Sequence, residues 1–77
     1  MTNTIGRRLQ SAREAKGITQ KELAELARCG KSTIEHYEYD MNCPRLFILA
    51  DICKILGVSI DYIVYGKVND ADDTTGK

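Results

Sequence analysis

An all-α domain of five short helices is the fold this sequence predicts, and three observations predict it. Apolar residues recur at spacings of three and four in successive segments, as helical faces require. Helix starts and stops are written in local chemistry, with Thr or Ser before a segment and Gly after it. No stretch alternates apolar and polar residues as a half-buried strand would, and no internal repeat stands out.

The first helix is expected over about residues 4–16. Ile5, Leu9 and Ala12 share one face, and Gly17 reads as a left-handed stop. Thr19-Gln20-Lys21-Glu22 is a capping box, which starts a second helix from Gln20 to Ala27 with Leu23, Ala24 and Ala27 on one face. Arg28-Cys29-Gly30 interrupts it. The third helix runs from Lys31 to about Glu38, with Ile34 and Tyr37 turned inward. Asp40 to Pro44 is a loop. A fourth helix covers about 45–56, where Leu46, Leu49, Ala50, Cys53 and Leu56 are spaced for burial, and Gly57 ends it. Ser59 caps a short fifth helix carrying Ile63 and Val64. From Lys67 onward the chain is polar, rich in Asp and Thr and without periodicity. The expected organisation is therefore one domain over 1–66 and a flexible polar tail over 67–77.

With 77 residues the chain is one small domain with a thin core. Its 11 basic and 11 acidic residues cancel, which argues against a non-specific coat for nucleic acid. The balance is uneven, however: +2 over residues 1–50 (eight basic, six acidic) and −2 over 51–77 (three basic, five acidic). The N-terminal Met1-Thr2-Asn3-Thr4 lacks the apolar centre of a signal peptide. No apolar run approaches the ~20 residues of a membrane helix. The expected location is the cytoplasm, with no membrane contact, and Cys29, Cys43 and Cys53 are expected to be free thiols there. Cys29, His36, Cys43 and Cys53 lie seven, seven and ten residues apart, which fits no compact zinc loop. No metal and no cofactor are expected. One histidine, no glycine-rich phosphate loop and no nucleophile–base pair give no basis for an enzyme.

Two short helices separated by three residues must turn sharply. Ala24 supplies the small residue where their axes approach, and Ile34, ten residues on, anchors the second helix in the same core. The outer face of that helix is then free to enter a groove about 12 Å wide. Gln20 to Glu38 resembles the helix-turn-helix of the Cro/phage-repressor family. Ile5-Gly6-Arg7-Arg8-Leu9 and Arg13 resemble that family's first helix. Asn42-Cys43-Pro44 resembles its Asn-x-Pro loop, and Leu56-Gly57-Val58-Ser59-Ile60-Asp61 its Leu-Gly-Val-Ser-x-Asp corner. The pieces occur in order over about residues 5–66. The resemblance implies a five-helix, lambda-repressor-like domain that binds operator DNA, usually as a two-fold dimer.

By the same resemblance Lys31, Ser32, Glu35 and His36 are candidate readers of base edges in the major groove. Lys31 suits guanine O6 and N7, and Glu35 suits cytosine N4, or else excludes wrong bases or pairs with a neighbour. Gln20 is a candidate for the phosphate backbone at a helix N-terminus. Thr33, Tyr39, Asn42 and Arg45 border the third helix as further phosphate candidates, with packing on the loop the alternative for Tyr39 and the minor groove the alternative for Arg45. Arg13 and Glu38 match a buried ion pair joining the first and third helices. Two residues depart from the pattern: Arg28 replaces the glycine of the turn, and Asp40 replaces the glycine after the third helix. A non-glycine residue in a left-handed turn costs about 1–2 kcal/mol. Gly30, at the N-cap of the third helix, is a candidate to ease the corner instead, and Asp40 tolerates the left-handed conformation itself. Cys29 fills a turn position usually held by a small apolar residue. Phe47 and Ile48 replace polar residues and, with Val58, Ile60 and Tyr62, form either a homodimer seam or local packing against the fifth helix. Two functions follow: a double-stranded DNA-binding repressor or regulator, or an antitoxin-like or other protein-interaction module with a protein partner.

Overall fold

The computed structural model describes residues 4–66. The expected tail over 67–77 lies outside the described residues. Five helices follow one another: α1 (Ile5–Lys16), α2 (Gln20–Ala27), α3 (Lys31–Glu38), α4 (Leu46–Leu56) and α5 (Ile60–Tyr65). No strand occurs among the described residues.

The helix ends follow from local chemistry. Thr4 Oγ1 accepts the Arg7 N–H at 3.1 Å and starts α1. Thr19 Oγ1 accepts the Glu22 N–H at 3.0 Å, while Glu22 Oε1 accepts the Thr19 N–H at 2.9 Å, completing the capping box of α2. Ser59 Oγ accepts the Tyr62 N–H at 3.0 Å and starts α5. Gly17 and Gly57 stop α1 and α4 at φ 81° and 73°, which only glycine adopts without strain.

The core gathers Leu9 and Ala12 of α1, Leu23 and Ala24 of α2, Ile34 and Tyr37 of α3, Leu49, Ile52, Cys53 and Leu56 of α4, and Ile63 of α5. Each fully buried Leu or Ile contributes about 1.5–3 kcal/mol. Ala24 is 3% exposed and Ile34 is 1% exposed, so the two residues expected to join α2 to α3 do so. On α4 the expected face is corrected. Leu46 is 65% exposed and Ile52 is fully buried. The buried stripe is Leu49, Ile52, Cys53 and Leu56, while Leu46 and Phe47 stand exposed at the start of the helix.

α1 and α3 approach closely at Gly6. A Cβ on Gly6 would lie 2.5 Å from the Glu38 carbonyl oxygen and 2.6 Å from that of Tyr37. Only a residue without a side chain fits there. Asp40 secures the same junction. Its carboxylate accepts the Gly6 N–H at 2.9 Å and the Thr4 hydroxyl at 2.6 Å, placing a negative charge at the N-terminus of α1, where the helix dipole favours it. Asp40 adopts φ 61°, as expected of a residue standing in for glycine.

The turn between α2 and α3 departs from expectation. Arg28 itself takes the left-handed conformation, at φ 60°. Gly30 caps α3 at φ −81° and makes no use of glycine's freedom. The chain must reverse at the residue where α2 ends, so the strain stays at Arg28.

Candidate nucleic-acid interface

Ile34, Tyr37 and Glu38 are the buried residues of α3. With that face fixed inward, helical geometry turns Ser32, Glu35 and His36 away from it, while Lys31, three residues before Ile34, is exposed because it is the first residue of the helix. Lys31 and Ser32 are exposed, and Glu35 and His36 are half-buried. No side chain caps α3 at Gly30. Lys31 Nζ lies 2.9 Å from Glu35 Oε2, an ion pair one turn apart. The neighbour-pairing role expected as one option for Glu35 is thus present.

Beside this face lies an open cleft of about 320 Å³ between α3, the loop after it and the start of α4. It is lined by Thr33, His36, Tyr37, Asn42, Cys43, Arg45 and Ile48. Four of the candidate residues therefore meet in one place. Asn42 and Arg45 are exposed and Thr33 is half-buried. Tyr37 is buried at the back of the cleft. Burial pushes its phenol up, with nearby Cys29 and Cys43 adding to the rise and the Arg45 cation opposing it. Tyr39 caps α3 and is 64% exposed.

Gln20 is placed differently. Its side-chain N–H donates to Glu38 Oε1 at 2.9 Å, and the residue is half-buried. Because a carboxylate only accepts, Glu38 fixes the amide with its nitrogen inward. One N–H of that nitrogen remains for another acceptor.

Behind the face sits the ion pair expected between α1 and α3. Arg13 Nε donates to Glu38 Oε2 at 2.7 Å and Nη2 to Oε1 at 3.2 Å. Arg13 Nη1 also donates to the Ile18 carbonyl at 2.8 Å. The Glu38 hydrogen bond pushes the Arg13 guanidinium further up, against the opposite effect of burial. A second buried arginine carried no sequence signal of its role. Arg8 Nε donates to the Ile63 carbonyl at 2.8 Å and Nη2 to that of Val64 at 2.9 Å, tying the last turn of α5 to α1.

The cysteines are separate. Cys53 is buried in the core, Cys29 is half-buried in the turn and Cys43 is exposed in the loop. Among the described residues no three His, Cys, Asp or Glu side chains form a metal-holding group. No helix there is long and apolar enough to cross a membrane. Phe47 is 83% exposed, while Ile48, Val58, Ile60 and Tyr62 are half-buried and pack against the core. Local packing thus accounts for four of the five residues considered for a seam, and Phe47 remains outside it.

An all-helical bundle that clamps a short third helix against the second and leaves its outer face open is a helix-turn-helix domain. The chain belongs to the helix-turn-helix family, whose model matches residues 9–63. It is 34% identical over 73 residues to the HTH-type transcriptional regulator ImmR of Bacillus subtilis (strain 168), covering 90% of this chain and 58% of that protein. It is 33% identical over 61 residues to the immunity repressor protein of Bacillus phage phi105, covering 79% of this chain and 42% of that protein. The chain thus spans about half the length of these relatives. Among solved structures, the P22 c2 repressor in complex with a synthetic operator superposes with a TM-score of 0.82 at 26% identity, over 86% of this chain and all of that one. SinR, a master regulator for biofilm formation solved in complex with DNA, superposes with a TM-score of 0.73 at 31% identity, over 78% and 97% of the two chains.

Proposed function

We propose that this chain is the DNA-binding domain of a transcriptional repressor, reading double-stranded operator DNA in the major groove with α3. The observation that carries this is the division of α3. Ile34 and Tyr37 are locked in the core while Lys31 and Ser32 stand in solvent, in a fold shared with an operator-bound repressor. Lys31, Ser32, Glu35 and His36 then contact base edges. Thr33, Asn42 and Arg45 hold backbone phosphates at the cleft, and Tyr39 borders them. Gln20 contributes its remaining N–H together with the N-terminus of α2. The work of the domain is binding rather than catalysis.

Two copies bind together. Phe47, exposed on the open first turn of α4 beside Leu46, supports a homodimer that sets its recognition helices about 34 Å apart, one turn of DNA. The zero net charge favours a second reading, an antitoxin-like module whose affinity for DNA depends on a protein partner.

Titration of the protein against a duplex selected from random sequence separates these. Groove binding gives a saturable complex whose affinity falls with salt at a slope of about −0.9 per phosphate neutralised. Sedimentation of the complex should give two protein copies per site. No saturable complex without a partner protein would favour the second reading.

A further inference from the structure

The Lys31–Glu35 pair is poorly placed to stabilise α3. Lys31 is the first residue of the helix, where the dipole disfavours a cation. The order of the pair, lysine before glutamate, is the weaker one for contacts one turn apart. Both side chains are solvent-accessible, at 56% and 33%, and exposed pairs of this kind add little stability. Yet the two groups are joined at 2.9 Å at the solvent-exposed start of the helix.

We propose that Lys31 and Glu35 act as one two-pronged reader of a single G·C base pair. This rests on the DNA-binding reading above and names what that surface selects. On its major-groove edge a G·C pair shows guanine N7 and O6 as acceptors, then the cytosine N4 amino group as a donor. O6 and N4 are hydrogen-bonded to each other, about 2.9 Å apart. The protein pair presents the complementary sequence at the same separation, an ammonium beside a carboxylate. The ammonium has three N–H groups. One holds Glu35, leaving two for O6 and N7, while the carboxylate retains lone pairs for the outer N4–H. An A·T pair interposes a donor, adenine N6, between its two acceptors. An ammonium cannot take both acceptors there while the carboxylate keeps its place. Glu35 also repels phosphates, so it weakens binding wherever the matching cytosine is missing.

The test selects bound duplexes from a random pool with the parent protein, Lys31→Ala and Glu35→Ala in parallel. Thermal melts matching the parent establish that the variants fold. The parent should enrich G·C at one position of the site. Each variant should lose that preference, by about tenfold, at the same position, with the rest of the motif kept. An unchanged motif in Glu35→Ala overturns the proposal. So do losses at two different positions, which would make the residues independent readers, or an A·T preference at the shared position. A parent protein that enriches no motif at all removes the DNA-binding reading itself.

Discussion

Glu38 is 2% exposed and accepts from Arg13 and Gln20 together. A buried carboxylate survives only when its charge is matched and its lone pairs are filled, and here α1 and α2 both supply donors. Glu38→Ala leaves the Arg13 guanidinium without its counter-charge. The expected loss is about 3–5 kcal/mol, enough to unfold most of a domain this small. Urea denaturation measures it, and a midpoint equal to the parent's would refute it. The pair was legible in the sequence through the family pattern. The Gln20 contact was not, because it joins residues 18 apart and depends on how α2 seats against α3. Arg8 was silent for the same reason: its partners are carbonyls left open at the far end of the chain fold.

At the level of elements, helix ends were readable because caps and stops are local. α2 and α3 begin and end where the capping box, Gly30 and the inward residues put them. α1 and α4 start one residue later than expected, since Thr4 and Arg45 serve as caps. Leu46 shares the spacing of the buried face yet is exposed, because periodicity marks a face of a helix without showing how far its neighbours extend. The α2–α3 turn yields a prediction of its own. Arg28→Gly relieves roughly 1–2 kcal/mol of left-handed strain against about 0.5–1 kcal/mol of added chain entropy. The net gain is on the order of 1 kcal/mol, or about 4–8 °C in Tm for a domain of this size. A scanning-calorimetry Tm at or below the parent's would contradict it.

Across the whole molecule, burial raises the thiols of Cys53 and Cys29 and the phenol of Tyr37. All three shifts favour the protonated form in the folded state. Their stabilisation is complete below the thiol's ordinary value of 9.0. Above it the unfolded chain loses protons that the folded chain keeps, so stability falls as pH rises. Urea midpoints between about pH 7.5 and 10 should decline past the unfolded thiol range. The decline should be shallower in Cys53→Ala. A flat profile across that interval would rule the effect out.

The shared carboxylate has a consequence for how the domain breathes. If α1 frayed alone, it would abandon the Glu38 charge in the interior, and α2 fraying alone would take away the Gln20 donor that shares that carboxylate, so their opening is tied to that of α3. Amide hydrogens at Leu9, Leu23 and Ile34 should therefore exchange with deuterated solvent at one common free energy, as a single cooperative unit. A motion that would loosen α3 must then dismantle the three-helix half of the domain, so the exposed side of that helix is presented already set.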